Sequence, residues 1–267
     1  MKQNERKSII EDLADNFIEA FYQGTYPGDR TFDIGKLSIE QAYQVQEKVS
    51  EKRINKGEKV AGYKVGCTSK AIQEQFGLKE PIHGQLFEPY IFKDGSELFW
   101  EDYVNCAIEP EIVLVIGKDL KGENLPDDEL ISGIEEVRPG VEIHQFKFWF
   151  SPTTSQELIC SGGIHLGLVL GNKKVTPDKL SFETEIFKVL MDGKRVTSGA
   201  AKEIMGGPIH SLRWLIGSLS RKGTYLKAGS YVIPGSPVEL VRVNKETLLT
   251  VEVEKVGSVN TYFMNRN

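Results

Sequence analysis

Glu109 and Glu111 stand at the head of the apolar run Ile108-Glu109-Pro110-Glu111-Ile112-Val113-Leu114-Val115-Ile116, which Gly117 stops. The run reads as a buried strand, β-branched at Ile112, Val113, Val115 and Ile116. Side chains alternate along a strand, so both carboxylates point to one face, with Val113 and Val115 behind them. Two like charges about 7 Å apart at the mouth of an apolar strand repel each other and resist desolvation, so a positive group should offset them. A second apolar segment, Gly140-Val141-Glu142-Ile143, adds a third glutamate. Glu109, Glu111 and Glu142 read either as three ligands of one hard divalent cation or as separate solvated residues on strand edges and loops; spacing alone leaves both open. Lys64 lies mid-strand in Val60-Ala61-Gly62-Tyr63-Lys64-Val65-Gly66. It is either an edge lysine directed at water or an ammonium facing the carboxylates. In the second case it would bind an anionic substrate or transfer a proton.

The elements around these residues follow from pattern. Apolar positions at Ile9, Ile10, Leu13, Phe17 and Phe21 predict a helix over 6–23, followed by a loop from Gly24 to Asp33. Ser38 with Gln41 has the form of a capping box and opens a helix to about Asn55, closed by Gly57. Ser69 caps a short helix over Lys70–Phe76. Pro81 to Phe87 reads as a turn into a short strand, with His83 as a surface or satisfied loop histidine. Pro126-Asp127-Asp128-Glu129 starts a helix whose core face is Leu130, Ile131, Ile134 and Val137, and which delivers the chain to Glu142. Phe146–Phe150 reads as core or subunit interface, and Ser151–Gly163 as a polar loop. Ile164–Leu170 is a strand, Phe182–Leu190 alternates as one, and Asp192-Gly193 marks a hairpin. Gly206-Gly207-Pro208 opens a helix ending near Gly223. Strands are expected at Tyr231–Pro234, Val238–Val243, Leu248–Val253 and Val259–Phe263. Helices first and strands after predict an α+β fold, with 1–58 as an N-terminal helical segment packed on the body and 59–267 as a β-rich catalytic domain.

Composition narrows the function classes. The net charge of -5 and the absence of a basic block argue against a nucleic-acid partner. Three separated cysteines without C-x-x-C spacing fit free thiols in a reducing compartment. The four histidines show neither H-x-x-x-H nor H-E-x-x-H, which disfavours a zinc site. No apolar run approaches the roughly 18 residues of a membrane span, and the N-terminus lacks a signal-peptide core, so a cytoplasmic protein with no membrane association is expected.

In order and spacing, several segments resemble one known family. They are Gly62-Tyr63-Lys64-Val65-Gly66 with Thr68-Ser69, Pro81-Ile82-His83-Gly84-Gln85-Leu86, Glu109-Pro110-Glu111 and its apolar run, and Glu142, 31 residues beyond Glu111. Ala42-Tyr43-Gln44-Val45-Gln46 precedes them, and Ser198-Gly199, Gly207-Pro208-Ile209 and Trp214-Leu215 follow. The likeness, from about Ser38 to Phe263, is to the 2-keto-4-pentenoate hydratase / 4-oxalocrotonate decarboxylase family of the fumarylacetoacetate hydrolase superfamily. It implies a fumarylacetoacetate-hydrolase-like β-rich roll or sandwich with N-terminal helices. It implies Mg²⁺ or Mn²⁺ held by Glu109, Glu111 and Glu142, with Lys64 catalytic and Lys64, Leu86 and Ser161 binding substrate. The implied substrate is a small 2-oxo or 2-hydroxy-dienoic acid such as 2-oxopent-4-enoate. The implied assembly is a homo-oligomer, or one that includes a paralogous subunit.

The chain departs from the family pattern at several places. Ile82 stands where hydratases often carry an acid, which leans toward decarboxylation. Ser161, Gly162, Gly163 and Ile164 replace an Asp-Asn-Ala-Ser patch, and Phe146 and Lys147 replace a Ser-Arg pair. Three readings follow: a metal-dependent hydratase, a decarboxylase of a 2-oxo-dicarboxylic acid, and a catalytically silent partner subunit.

Overall fold

The computed structural model describes residues 2–23, 31–103, 105–144 and 154–266. Helices α1 (Lys2–Gln23), α2 (Thr31–Gly35) and α3 (Ile39–Asn55) come first. Then follow β1 (Val60–Gly66), α4 (Lys70–Gln75), β2 (Ile82–Phe87), β3 (Ile91–Lys93), β4 (Ser96–Phe99), β5 (Ala107–Ile116), α5 (Asp127–Ser132) and β6 (Ile134–His144). The chain continues through α6 (Ser155–Cys160), β7 (His165–Leu170), β8 (Ile186–Met191), β9 (Lys194–Ala200) and α7 (Pro208–Arg221). It ends in β10 (Tyr231–Ile233), β11 (Val241–Arg242), β12 (Thr247–Val253) and β13 (Gly257–Met264). No helix among the described residues is long and apolar enough to cross a membrane.

The strands form two sheets. One has the order β2-β1-β10-β5-β6-β7-β3, with β11 also paired to β5; the other is β4-β13-β12-β8-β9. The larger core joins them: Ile112, Leu114, Val141 and Ile143 pack with Phe187, Val251, Val259 and Phe263, and α7 adds Leu212, Leu215 and Ile216. The opposite face of the larger sheet carries a second, smaller cluster. There Leu86 of β2 meets Leu168 and Leu170 of β7, although β1, β10, β5 and β6 lie between those strands in the sheet. The sheet is therefore rolled, and its concave face closes on itself. Gly84 makes the closure possible, because a Cβ there would lie 2.4 Å from the Gly162 carbonyl oxygen. The α+β class and the rolled sheet are those expected from the sequence.

The N-terminal helices are bound to this body by a shared core. Leu13 and Phe17 of α1 and Ala42 and Val45 of α3 pack with Leu158, Ile159 and Cys160 of α6 and with Ile82 and Ala107. The capping box at Ser38 forms as its sequence predicts: Gln41 N–H donates to Ser38 Oγ, and Ser38 N–H to Gln41 Oε1.

Several expectations are corrected. The helix read through Ile134 and Val137 ends at Ser132, and Ile134–His144 is strand β6, paired antiparallel with β5. A register shift explains the misreading. Ile116 pairs with Ile134 while Val115 pairs with Glu136, so one extra residue turns Ile134 and Val137 onto the same core face. A strand bulge thus imitates the three-residue spacing of a helix. The loop read over Ser151–Gly163 contains α6, capped by Thr154, whose Oγ1 accepts from Glu157 N–H. Helix α2 begins inside the loop read from Gly24 to Asp33. The strand read over Val238–Val243 is reduced to Val241–Arg242. Strand β8 starts at Ile186 rather than Phe182, whose φ of 62° is incompatible with a strand. The aromatic run Phe146–Phe150, with Lys147 inside it, lies outside the described residues.

Candidate metal centre and substrate cavity

Strands β5 and β6 run side by side, and Glu109 pairs directly with Glu142. Glu111 lies opposite Gly140, where a Cβ would lie 2.7 Å from Val113 Cγ2, so the space is taken by the neighbouring side chains. Residues two apart on a strand share a face, so Glu142 and His144 look the same way. On the next strand His165 is the cross-strand partner of His144. A bulge at Leu166 sets this phase: Ile143 pairs with Gly167, His144 with His165, and Leu166 turns to the main core. Lys64 enters from β1. That strand runs parallel to β10, and the close approach of the two requires Gly62, whose φ is 158° and whose Cβ would lie 1.8 Å from Tyr231 O.

The side chains form one network. Lys64 Nζ lies 2.8 Å from Glu142 Oε1 and donates to Gly163 O at 3.2 Å. His165 Nδ1 shares that Glu142 oxygen at 2.8 Å. His144 Nε2 lies 3.0 Å from Glu109 Oε2 and 3.4 Å from Glu142 Oε2. Glu111 Oε2 accepts the Gly235 N–H at 3.2 Å. Lys64, Glu111, Glu142, His144 and His165 are all buried. Glu109, Glu142 and His144 each bring one donor atom within 4.8 Å of the others.

Electrostatics separates the two buried carboxylates. Burial holds Glu111 well above the usual carboxylate range, and repulsion from Glu142 and Glu109 adds to it against Lys64 and the Gly235 N–H. Burial also opposes the charge on Glu142, but His144, Lys64 and the hydrogen bond from His165 win and hold it well below that range. Burial lowers Lys64, yet attraction to Glu142 and Glu109 overcomes it, so the amine stays protonated. Burial lowers His165 and its bond to Glu142 only partly restores it. Glu111 Oε1, Glu142 Oε2 and His144 Nδ1 are buried without a hydrogen-bond partner. Three carboxylates, two of them carrying orphaned oxygens, are a fit donor set for a divalent cation.

The network opens on a cavity of about 500 Å³. Lys64, Glu109 and His144 line it, together with the apolar Ile72, Phe76, Ile82, Leu158, Ile164 and Leu240. The exposed Glu203 and Glu239 also border it. Among its described lining residues Lys64 is the one ammonium or guanidinium. Cys67 lines the cavity too, but burial pushes its thiol up to about 11, so it is no ready nucleophile.

The expected site residues fare differently. Lys64, Glu109 and Glu142 come together, with Glu111 beside them. Leu86 and Ser161, expected to face substrate, do not line the cavity. Leu86 is fully buried in the small core of the roll. Ser161 Oγ is used in the turn after α6, donating to Leu158 O and accepting from Ile164 N–H. His83 is not a surface or satisfied histidine: it is buried on β2 with both ring nitrogens unpartnered, 4.9 Å from the Tyr43 ring. His144 and His165 were missed. Their signal in the sequence is Glu142-Ile143-His144, a strand-period counterpart of Glu109-Pro110-Glu111 rather than a helical or loop spacing of histidines.

The rolled α+β architecture is the fold of the fumarylacetoacetate hydrolase superfamily. It superposes with a TM-score of 0.92 on the 4-oxalocrotonate decarboxylase of Pseudomonas putida G7 complexed with magnesium and adipate, at 24% identity, covering 97% of this chain and 98% of that one. No family model matches the chain. A 2-hydroxypent-2,4-dienoate hydratase of Pseudomonas putida is 30% identical over 227 residues, 81% of this chain and 98% of that protein. A 4-oxalocrotonate decarboxylase of a Pseudomonas species is 27% identical over 255 residues, covering 94% and 96%. The chain belongs to the 2-keto-4-pentenoate hydratase / 4-oxalocrotonate decarboxylase family.

Proposed function

We propose that the chain is a metal-dependent hydro-lyase that adds water to a small 2-hydroxy-dienoic or 2-oxo-enoic acid. The observation that carries this reading is the pairing of a buried Lys64–glutamate network with an otherwise largely apolar cavity. Glu109, Glu111 and Glu142 would hold Mg²⁺ or Mn²⁺. When bound, that ion supplies a Lewis acid for the 2-oxo end of the substrate.

The protein's own groups do the rest. Lys64 is kept charged by Glu142, and its Nζ reaches the cavity wall. It can bind the substrate carboxylate or hand over a proton. Ile72, Phe76, Ile82 and Leu240 accept a short hydrocarbon tail and keep bulk water off it. A second carboxylate at that tail would meet apolar side chains and the acidic Glu203 and Glu239, which favours a monoacid over a dicarboxylate. The hydratase relative supports the same ordering.

Decarboxylation of a 2-oxo-dicarboxylic acid is the second reading. Ile82 in the cavity wall and the decarboxylase relative favour it. The test supplies Mg²⁺ with 2-hydroxypenta-2,4-dienoate or 2-oxohex-3-enedioate and follows ultraviolet absorbance and CO₂. Loss of the dienol signal without gas is the expected result. Gas from the dicarboxylate would install the decarboxylase, and no turnover with metal bound would leave a silent partner subunit.

A further inference from the structure

The donor atoms that gather within 4.8 Å of one another in the centre are not three carboxylates. They are Glu109 Oε2, Glu142 Oε2 and His144 Nε2. The histidine nitrogen sits 3.0 Å from one oxygen and 3.4 Å from the other. Two ligands in adjacent positions of an octahedral ion, each bonded at about 2.1 Å, are separated by roughly 3 Å. Two edges of the triangle therefore match adjacent positions of a coordination shell, and the third lies within 4.8 Å. Its members come from cross-strand and same-face neighbours on β5 and β6, so the sheet itself fixes them. The imidazole is buried, and Glu142 Oε2 has no hydrogen-bond partner. Glu111 likewise gives one oxygen, Oε2, to the Gly235 N–H and keeps Oε1 without a partner.

We propose that His144 Nε2 is itself a ligand of the divalent cation, beside Glu109 and Glu142, making this a mixed oxygen–nitrogen centre that favours Mn²⁺ over Mg²⁺. The inference deepens the lyase reading of the same site and rests on it for the presence of a cation. Its chemical basis is donor hardness. Mg²⁺ takes oxygen and gives up water reluctantly, whereas first-row transition ions accept imidazole readily. His165 is held differently, with Nδ1 on Glu142 Oε1, so it orients that carboxylate rather than completing the triangle.

The test reads the ligand directly. The full-length protein is loaded with MnCl₂ and examined by pulsed electron paramagnetic resonance, unlabelled and with ¹⁵N-histidine. A directly coordinated histidine nitrogen is expected, changing isotope signature with the label. The coupling should vanish in His144→Gln and persist in His165→Gln. In equilibrium dialysis against MgCl₂ and MnCl₂, His144→Gln should lower the preference for Mn²⁺ roughly tenfold. Mn²⁺ bound tightly with no nitrogen coupling would overturn the proposal while leaving an all-oxygen metal site intact. Failure of the wild-type protein to bind either ion would remove the metal-dependent reading as well. The labelled wild type shows whether any histidine nitrogen is bound, and a coupling that persists in His165→Gln assigns it to His144 even where His144→Gln misfolds.

Discussion

At the scale of single residues, the centre is a balance of buried charges. Lys64 and Glu142 neutralise each other at 2.8 Å, with neither exposed to solvent. Lys64→Met should cost about 3–5 kcal/mol in urea denaturation, because it leaves a buried carboxylate without the ammonium that pairs with it. Adding Glu142→Gln should recover part of that loss. His83 gives a pH prediction. Burial depresses its pKa from 6.5 to about 3, helped by the Lys222 charge. The unfolded chain therefore takes up a proton first as pH falls through 6.5, and stability is lost from there down to about 3. By pH 5 the loss approaches about 2 kcal/mol. His83→Phe keeps the ring against Tyr43 and should melt progressively above wild type between pH 7 and 5, read by calorimetry. At this scale the sequence was partly legible. The acids and Lys64 announced themselves by lying in apolar strands. His83 did not, because nothing in Pro81-Ile82-His83-Gly84 distinguishes an exposed turn from a strand covered by Tyr43 and Trp214.

At the scale of elements, the site depends on the closure of the rolled sheet and on two bulges. Gly84 of β2 touches the turn at Gly162, so Gly84→Ala should cost about 1–3 kcal/mol and lower the melting temperature. Gly35→Ala is the control: nothing lies within 4 Å of the added methyl, and it should be neutral or stabilising by up to about 1 kcal/mol. The capping box at Ser38, the Asp192-Gly193 hairpin and the Gly207-Pro208 helix start were readable because each is a local device. Strand β6 was not, since its first half carries spacing that only the pairing with β5 resolves. Helix α6 was hidden for a related reason. Its six residues have little intrinsic stability and are held by packing against α3 and α1, a long-range effect.

At the scale of the whole molecule, the stability of the fold and the occupancy of the centre are linked. Glu111 is buried against its preference when no cation offsets it. An ion that binds only the folded chain at 100 times its dissociation constant adds about 2.7 kcal/mol. Thermal scans with MnCl₂ should therefore show a rise of several degrees, reversed by a chelator. The acidic border of the cavity has a kinetic consequence. Glu203 and Glu239 flank the entrance of a chain with net charge -5, and the proposed substrate is an anion. Encounter is slowed by a repulsive gate before the attractive floor at Lys64 is felt. Dissolved salt weakens that gate, the screening length being about 10 Å at 0.1 M, while buried attraction is screened far less. Capture of the acid should accelerate as ionic strength rises, the reverse of the usual behaviour of an enzyme that steers its substrate by charge.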